Sequence, residues 1–270
     1  MGNEKSGADN AAAASPAKPA GKLATLLIVA AAAVLACVAV IRFVVLPELD
    51  ANRENARIDA CATNLRQIGK ALRAYQERWG RLPPACETDE KGKPKHSWRV
   101  LILPFMESEE VRALYYQYNF EEPWNGPHNR TLAKKMPPVF RCPSDTDDEE
   151  DSGGGETSYV AVLGPGTVFD GVRATNFPGG PGEAIVVVEA ARSGINWLDP
   201  RDLDLQDMPR QVNAAADKGI RSRHSGGANE LFGDGQARFL PDALPPEQLE
   251  ALLSISGGKA LLLDGEELLR

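Results

Sequence analysis

One stretch, Leu23 to Trp79, limits what this chain can fold into more than any other. From Leu23 to Ile41 it is apolar and carries no charge. As a helix rising about 1.5 Å per residue, that run spans roughly 28 Å, close to the hydrocarbon thickness of a bilayer. Arg42 interrupts it, but Phe43 to Leu46 continue it, and a long Arg near the end of a span can reach back to the interface. A cleaved secretory signal would have a shorter apolar core, about 7–15 residues, ending at small residues. The reading is therefore a retained transmembrane helix over 23–46. Lys5, Lys18 and Lys22 precede it, whereas Arg42 and Arg53 after it are mixed with Glu48, Asp50 and Glu54. That balance puts the N-terminus in the cytoplasm and the bulk of the chain outside, on a single-pass membrane protein.

The second half of the stretch carries apolar side chains at Ile58, Cys61, Leu65, Ile68, Leu72, Tyr75 and Trp79. The steps alternate between three and four, which lines all seven along one face of a helix. Pro47 lacks a backbone donor, so a bend is expected there, followed by helix from 48 to 79. Gly80 ends the helix and Pro83-Pro84 prevents its resumption. A coiled coil would use the same stripe, but the repeat is short, and a large segment follows that needs a helix to pack on.

Residues 1–22 are rich in Ala, Gly, Ser, Pro and Lys without apolar periodicity and read as a disordered cytoplasmic tail. The remaining roughly 220 residues are enough for one domain with a substantial core. A net charge of -8 argues against a nucleic-acid surface. The four Cys form no CxxC pair, so spacing indicates no structural zinc site.

Pro83 to Lys95 reads as a polar loop, His96 to Met106 as a short buried element ending near Pro104, and Glu107 to Tyr118 as a short helix. Phe120 to Asn129 is turn-rich. The acidic run Asp147 to Asp151 lacks the ligand alternation of a calcium loop and reads as solvated. Thr157 to Leu163 and Glu183 to Ala190 read as strands. The second is so apolar that a central place in a sheet is expected. Asn196 to Met208 reads as a loop. Ala228 to Phe232 and Gln236 to Leu240 flank Gly233-Asp234-Gly235 as a hairpin, and Pro245 to Ser254 is helical. Residues 259–270 are a C-terminal extension.

Several segments carry a resemblance. Asn64-Leu65-Arg66-Gln67-Ile68-Gly69 looks like the N-L-K-Q-I-G segment of a bacterial family called domain of unknown function 1559. In order follow Gly80 to Pro84, His96 to Pro104, Phe140-Arg141-Cys142-Pro143-Ser144-Asp145, Thr157-Ser158-Tyr159 and Asp199 to Leu203. Last comes His224, nine residues, then Asp234-Gly235, which is similar to the family's H-x9-DG signature. The resemblance spans roughly residues 46–258. It implies an α+β, pilin-like fold, in which a long N-terminal helix, half in the membrane, packs its other half on an antiparallel sheet within a domain over 47–258. Family members usually carry a prepilin leader cut between Gly and an apolar residue, with Glu at the fifth mature position. Here Gly21 is followed by Lys22, and Leu26 stands at the fifth place, so a standing anchor is expected in preference to a processed pilin.

The resemblance also implies a disulfide between Cys61 and Cys142, with Cys86 as the rival partner for either and free, buried thiols as the alternative. Closing a loop of some eighty residues would contribute about 4–5 kcal/mol in the chain-entropy model. His224 and Asp234 are expected to orient the hairpin through hydrogen bonds to the backbone, with Gly235 tolerating positive φ. A calcium site on Asp234 is a weaker alternative, and no metal site is read from His96, His128 and His224, which lie in unrelated loops. Ser222 and Ser225 flank His224 without a nucleophile-elbow motif, so no catalytic residue is assigned and no enzyme is expected. The expected function is that of a pseudopilin-like structural protein of the bacterial envelope, whose partners are the bilayer and secretion or surface-assembly proteins. The alternative is a membrane-tethered binding module for a carbohydrate or protein, with Trp98, Trp124, Trp197, Tyr115, Tyr116 and Tyr118 as its binding face.

Overall fold

A computed structural model describes residues 20–145, 154–170, 173–174, 184–215 and 218–257. The acidic run 147–151 and the extension 259–270 lie outside the described residues, as does most of the expected tail. The chain divides into two units, residues 1–52 and 53–270.

In the first unit, α1 covers Ala20–Val40, so helix begins three residues inside the segment expected as tail. A π-helical turn, Ile41–Val45, follows, closed by the Leu46 N–H donating to the Ile41 carbonyl. α2, Leu46–Trp79, then begins and takes in Pro47. Proline cannot donate to the carbonyl four residues back and its ring crowds that carbonyl, so the irregularity falls in the preceding turn. Leu26, Leu27, Ile28, Val34, Leu35 and Phe43 are all exposed on this segment. Among the described residues, one helix is long and apolar enough to cross a membrane.

In the second unit, the apolar stripe of α2 does what its spacing predicts. Cys61, Leu65, Ile68, Leu72 and Tyr75 are buried, together with Ala62, Gly69 and Ala71 beside them. The stripe fails at its ends: Ile58 is half-buried and Trp79 is 60% exposed. The chain continues through β1 (Cys86–Thr88), β2 (Pro94–Ser97), α3 (Trp98–Leu101) and α4 (Glu109–Gln117). Ser97 and Ser108 cap the two helices by accepting from the N–H groups of Arg99 and Val111. The segment expected as a polar loop is thus a small antiparallel hairpin, with Glu87 opposite His96.

The main sheet contains β3 (Tyr159–Leu163), β4 (Phe169–Asp170), β5 (Arg173–Ala174), β6 (Ile185–Glu189), β7 (Leu203–Asp204), β8 (Gly227–Phe232) and β9 (Ala237–Pro241). Its order is β5-β4-β3-β6-β8-β9, with β7 pairing β3. The centre is antiparallel as expected, while β4 and β7 both add to β3 in parallel, which makes the sheet mixed. These two short strands pair through the ends of longer loops, so no period-2 pattern marked them. Helix α5 (Pro246–Leu253) follows.

Side chains on β3 alternate between two cores. Tyr159 and Ala161 join Cys61, Leu65, Ile68 and Leu72 of α2, whereas Val160 and Val162 join Ile185, Val188, Phe232, Leu249, Leu252 and Leu253. The sheet is therefore covered on both faces, which explains why β6, bonded on both sides by β3 and β8, reads as an unbroken apolar run. Close approach of α2 to β8 depends on Gly69: a Cβ there would lie 2.9 Å from a Leu231 methyl. The fold class is α+β, a long helix on a sheet.

Candidate functional site

Most of the family-like motifs resolve into devices that hold segments together. Arg99, wholly buried, donates to the Asp202 carboxylate at 2.5 Å, the Tyr159 carbonyl at 3.1 Å and Ser97 Oγ at 3.0 Å. Asp202 also accepts from Trp98 Nε1 at 3.2 Å and from the Ala161 N–H at 2.8 Å. Burial pushes the Asp202 carboxyl up to about 6 against the pull of Arg99. Asn64 of α2 donates to the Arg141 carbonyl at 2.9 Å, and Asp145 accepts from Ser158 Oγ at 2.8 Å. These bonds seat the Phe140–Asp145 segment on the helix and set Cys142 beside Cys61.

Asp234 acts locally. Its carboxylate accepts from the Gln236 N–H at 2.8 Å and from Arg238, while its carbonyl accepts from Arg73 of α2 at 2.6 Å. Gly235 has φ of 83°, the left-handed turn residue that the Asp-Gly pair predicts.

His224 departs from the expectation. Its ring does not engage the hairpin; it enters the core between α2 and the sheet. Nδ1 lies 2.5 Å from Glu54 Oε1, and Nε2 lies 3.3 Å from Cys142 Sγ and 3.8 Å from Glu189 Oε1. Cys61, Cys142, Glu189 and His224 place one ligand atom each within 4.8 Å of one another, all buried. They come from α2, the segment after Pro138–Phe140, the end of β6 and the loop before β8. Tyr159 donates its hydroxyl to Cys61 Sγ at 3.2 Å. The Asn229 N–H donates to Glu189 Oε2 at 3.2 Å, while Glu189 Oε1 has no hydrogen-bond partner among the described residues.

The electrostatics follow from this packing. Burial raises the Glu189 pKa and, with Glu189 beside it, holds Glu230 far above the carboxylate range. The hydrogen bond with Cys61 and burial lift the Cys142 thiol above its ordinary value. Burial disfavours charge on His224, but its bonds with Cys142 and Glu54, and the charge of Glu189, hold it up at about 9. Glu54, His224 and Cys142 follow the order of orienting acid, base and nucleophile. The thiol is wholly buried, however, and its raised pKa keeps it protonated, the opposite of an activated cysteine.

Two expectations are corrected here. The implied Cys61–Cys142 disulfide is not shown: the sulfurs lie within 4.8 Å of each other and both are free thiols, in contact with Tyr159 and His224. Cys86 is also a free thiol. The aromatic face is dispersed as well, since Trp98 and Trp197 are core residues and Tyr118 is buried, whereas Tyr116 is exposed. A different aromatic cleft of about 480 Å³ is lined by Tyr75, Trp79, Phe105, Tyr115 and Phe120, with Arg78, Arg81 and Glu87.

Sequence reasoning missed Glu54 and Glu189. Glu54 enters the sequence reading only as one of the acidic residues that follow the apolar span. Glu189 carried a signal: a carboxylate inside a strand expected at the sheet centre is a buried charge that needs a partner.

Fold and site together define a helix-on-sheet α+β domain with thiol, imidazole and carboxylate groups gathered under the helix. The chain belongs to the family of proteins of unknown function DUF1559, whose profile matches residues 50–184. The match includes Cys61 and Cys142 and stops before Glu189, His224 and Asp234. No curated protein and no solved structure matched the chain.

Proposed function

We propose that this protein is a membrane-anchored, pseudopilin-like structural component of the bacterial envelope, without enzymatic activity, whose second unit lies outside the cytoplasm. The observation that carries the reading is the run of exposed apolar side chains from Leu26 to Val45. Exposed apolar surface of this extent is stable in lipid and costly in water. Membership of the DUF1559 family and the helix-on-sheet packing of α2 are compatible with it. The test is alkaline extraction of membranes from cells expressing the full chain, with protease digestion of intact and permeabilised cells. Retention in the membrane pellet, with the domain digested from outside, is expected. Release at alkaline pH, or protection of the domain in cells with an opened envelope but intact inner membrane, would overturn the reading.

A second reading, a tethered binding module, draws on the cleft at Trp79. Its volume suits a small ligand or one sugar residue, and Trp79 and Arg78 stand together at its wall, with the guanidinium 5.6 Å from the ring centre. Titration of the protein with glycans, followed by Trp fluorescence, tests it. A saturable change lost in Trp79→Ala would favour it.

A further inference from the structure

We propose that Cys61, Cys142, Glu189 and His224 form a zinc site that pins α2 to the sheet. It goes beyond the envelope reading and does not depend on it. The four donors are two sulfurs, one imidazole nitrogen and one carboxylate oxygen, a set that suits tetrahedral zinc and not calcium, which takes oxygen ligands. Zinc bonds of about 2.0–2.3 Å place neighbouring ligand atoms roughly 3.3–3.8 Å apart. His224 Nε2 already stands 3.3 Å from Cys142 Sγ and 3.8 Å from Glu189 Oε1, and no pair among the four exceeds 4.8 Å. Contraction by at most about 1 Å completes the tetrahedron.

Two further observations point to a cation. Glu189 Oε1 is fully buried, without a hydrogen-bond partner among the described residues, and is aimed into the cluster. The ligands are also supported from outside. Glu54 accepts from His224 Nδ1 at 2.5 Å, so Nε2 is the nitrogen that gives up its proton to ligate, in the arrangement of a carboxylate–histidine–metal triad. Tyr159 donates to Cys61 Sγ, Asn229 donates to Glu189 Oε2, and Arg57 sits 3.2 Å from Glu54 and balances its charge. On binding, the two thiols and the His224 imidazolium each lose a proton to solvent, and the two thiolates, the neutral imidazole and one carboxylate face the dication. Four protein ligands close the coordination sphere, so the site is structural and leaves no position for substrate.

The experiment uses the full chain in detergent, reduced, stripped of metal by chelator and titrated with zinc, and separately with cobalt under anaerobic conditions. One equivalent of zinc is expected, and cobalt should give thiolate charge-transfer bands with tetrahedral d–d bands. Glu54→Gln, which touches no metal, should weaken binding by about 10–100-fold. Cys86→Ser should bind as the wild type does, and Cys142→Ser should lose the charge-transfer bands in part. Failure of the reduced wild type, folded by circular dichroism, to bind a stoichiometric metal would overturn the proposal. So would cobalt bands without thiolate character, or zinc affinity unchanged in both Cys61→Ser and Cys142→Ser. Because the wild-type titration decides by itself, misfolding of a variant does not blunt the test.

Discussion

Replacing Asp202 by Ala should remove a large share of the domain's stability. The guanidinium of Arg99 is wholly buried, and Asp202 is the carboxylate that balances it. Breaking a buried pair from one side costs about 3–5 kcal/mol, because the remaining charge stays in low dielectric. The substitution also strips Trp98 Nε1 and the Ala161 N–H of their acceptor, and a buried donor without a partner costs about 1–3 kcal/mol. Water entering the gap returns part of this, so a loss of roughly 4–6 kcal/mol is expected. That is comparable to the whole stability of a small domain, about 5–15 kcal/mol. The reverse change, Arg99→Met, should cost less. An isolated buried Asp202 can take up a proton, and burial already lifts its pKa to about 6, whereas Arg99 cannot shed its charge. Urea unfolding of the full chain in detergent, followed by Trp fluorescence, gives both values. Asp202→Ala costing under about 1 kcal/mol, or no more than Arg99→Met, would refute this account of the pair.

Two other outcomes follow from the packing. Gly69→Val should destabilise by about 1–3 kcal/mol in the same assay, because even a Cβ at that position meets the Leu231 side chain at 2.9 Å; a neutral effect would mean that helix and sheet separate easily. His96 is buried and neutral: Nε2–H donates to the Phe120 carbonyl, Nδ1 accepts from the Tyr118 hydroxyl, and burial with Lys95 nearby lowers its pKa from 6.5 to about 4. Its contribution to stability is full above pH 6.5 and lost as the pH falls through about 4. The wild type should therefore lose more stability than His96→Gln over that window, and parallel curves would count against a neutral His96.

Much of this architecture is legible in the residues. The stripe of α2 reads correctly from Cys61 to Tyr75, because one buried face imposes a strict period on it. The apolar run of β6 marks a strand covered on both faces, and Asp234-Gly235 marks a turn by its local chemistry. Two-residue strands such as β4 and β7 leave no periodic trace, since their partners are set by tertiary contact. The cluster was hidden for a similar reason. Its residues are scattered over Cys61, Cys142, Glu189 and His224, and no local spacing rule of the CxxC kind joins them. Motif matching named three of the four but gave His224 a role at the hairpin, which the fold assigns to Asp234 and Arg73.

The wide separation of those residues has a kinetic consequence. In the unfolded chain, Cys61 has Cys86 about 25 residues away and Cys142 about 80 residues away, and the longer loop closes less readily by about 1 kcal/mol. Where the chain folds in an oxidising compartment, the encounter that comes first joins Cys61 to Cys86. In the folded domain Cys86 instead gives its thiol hydrogen to the neighbouring Glu87 carbonyl, on the hairpin of β1 and β2. Docking of α2 on the sheet must therefore outrun oxidation. In such a compartment the yield of native protein is decided by the redox poise and by the rate at which Tyr159 and His224 close over the two sulfurs.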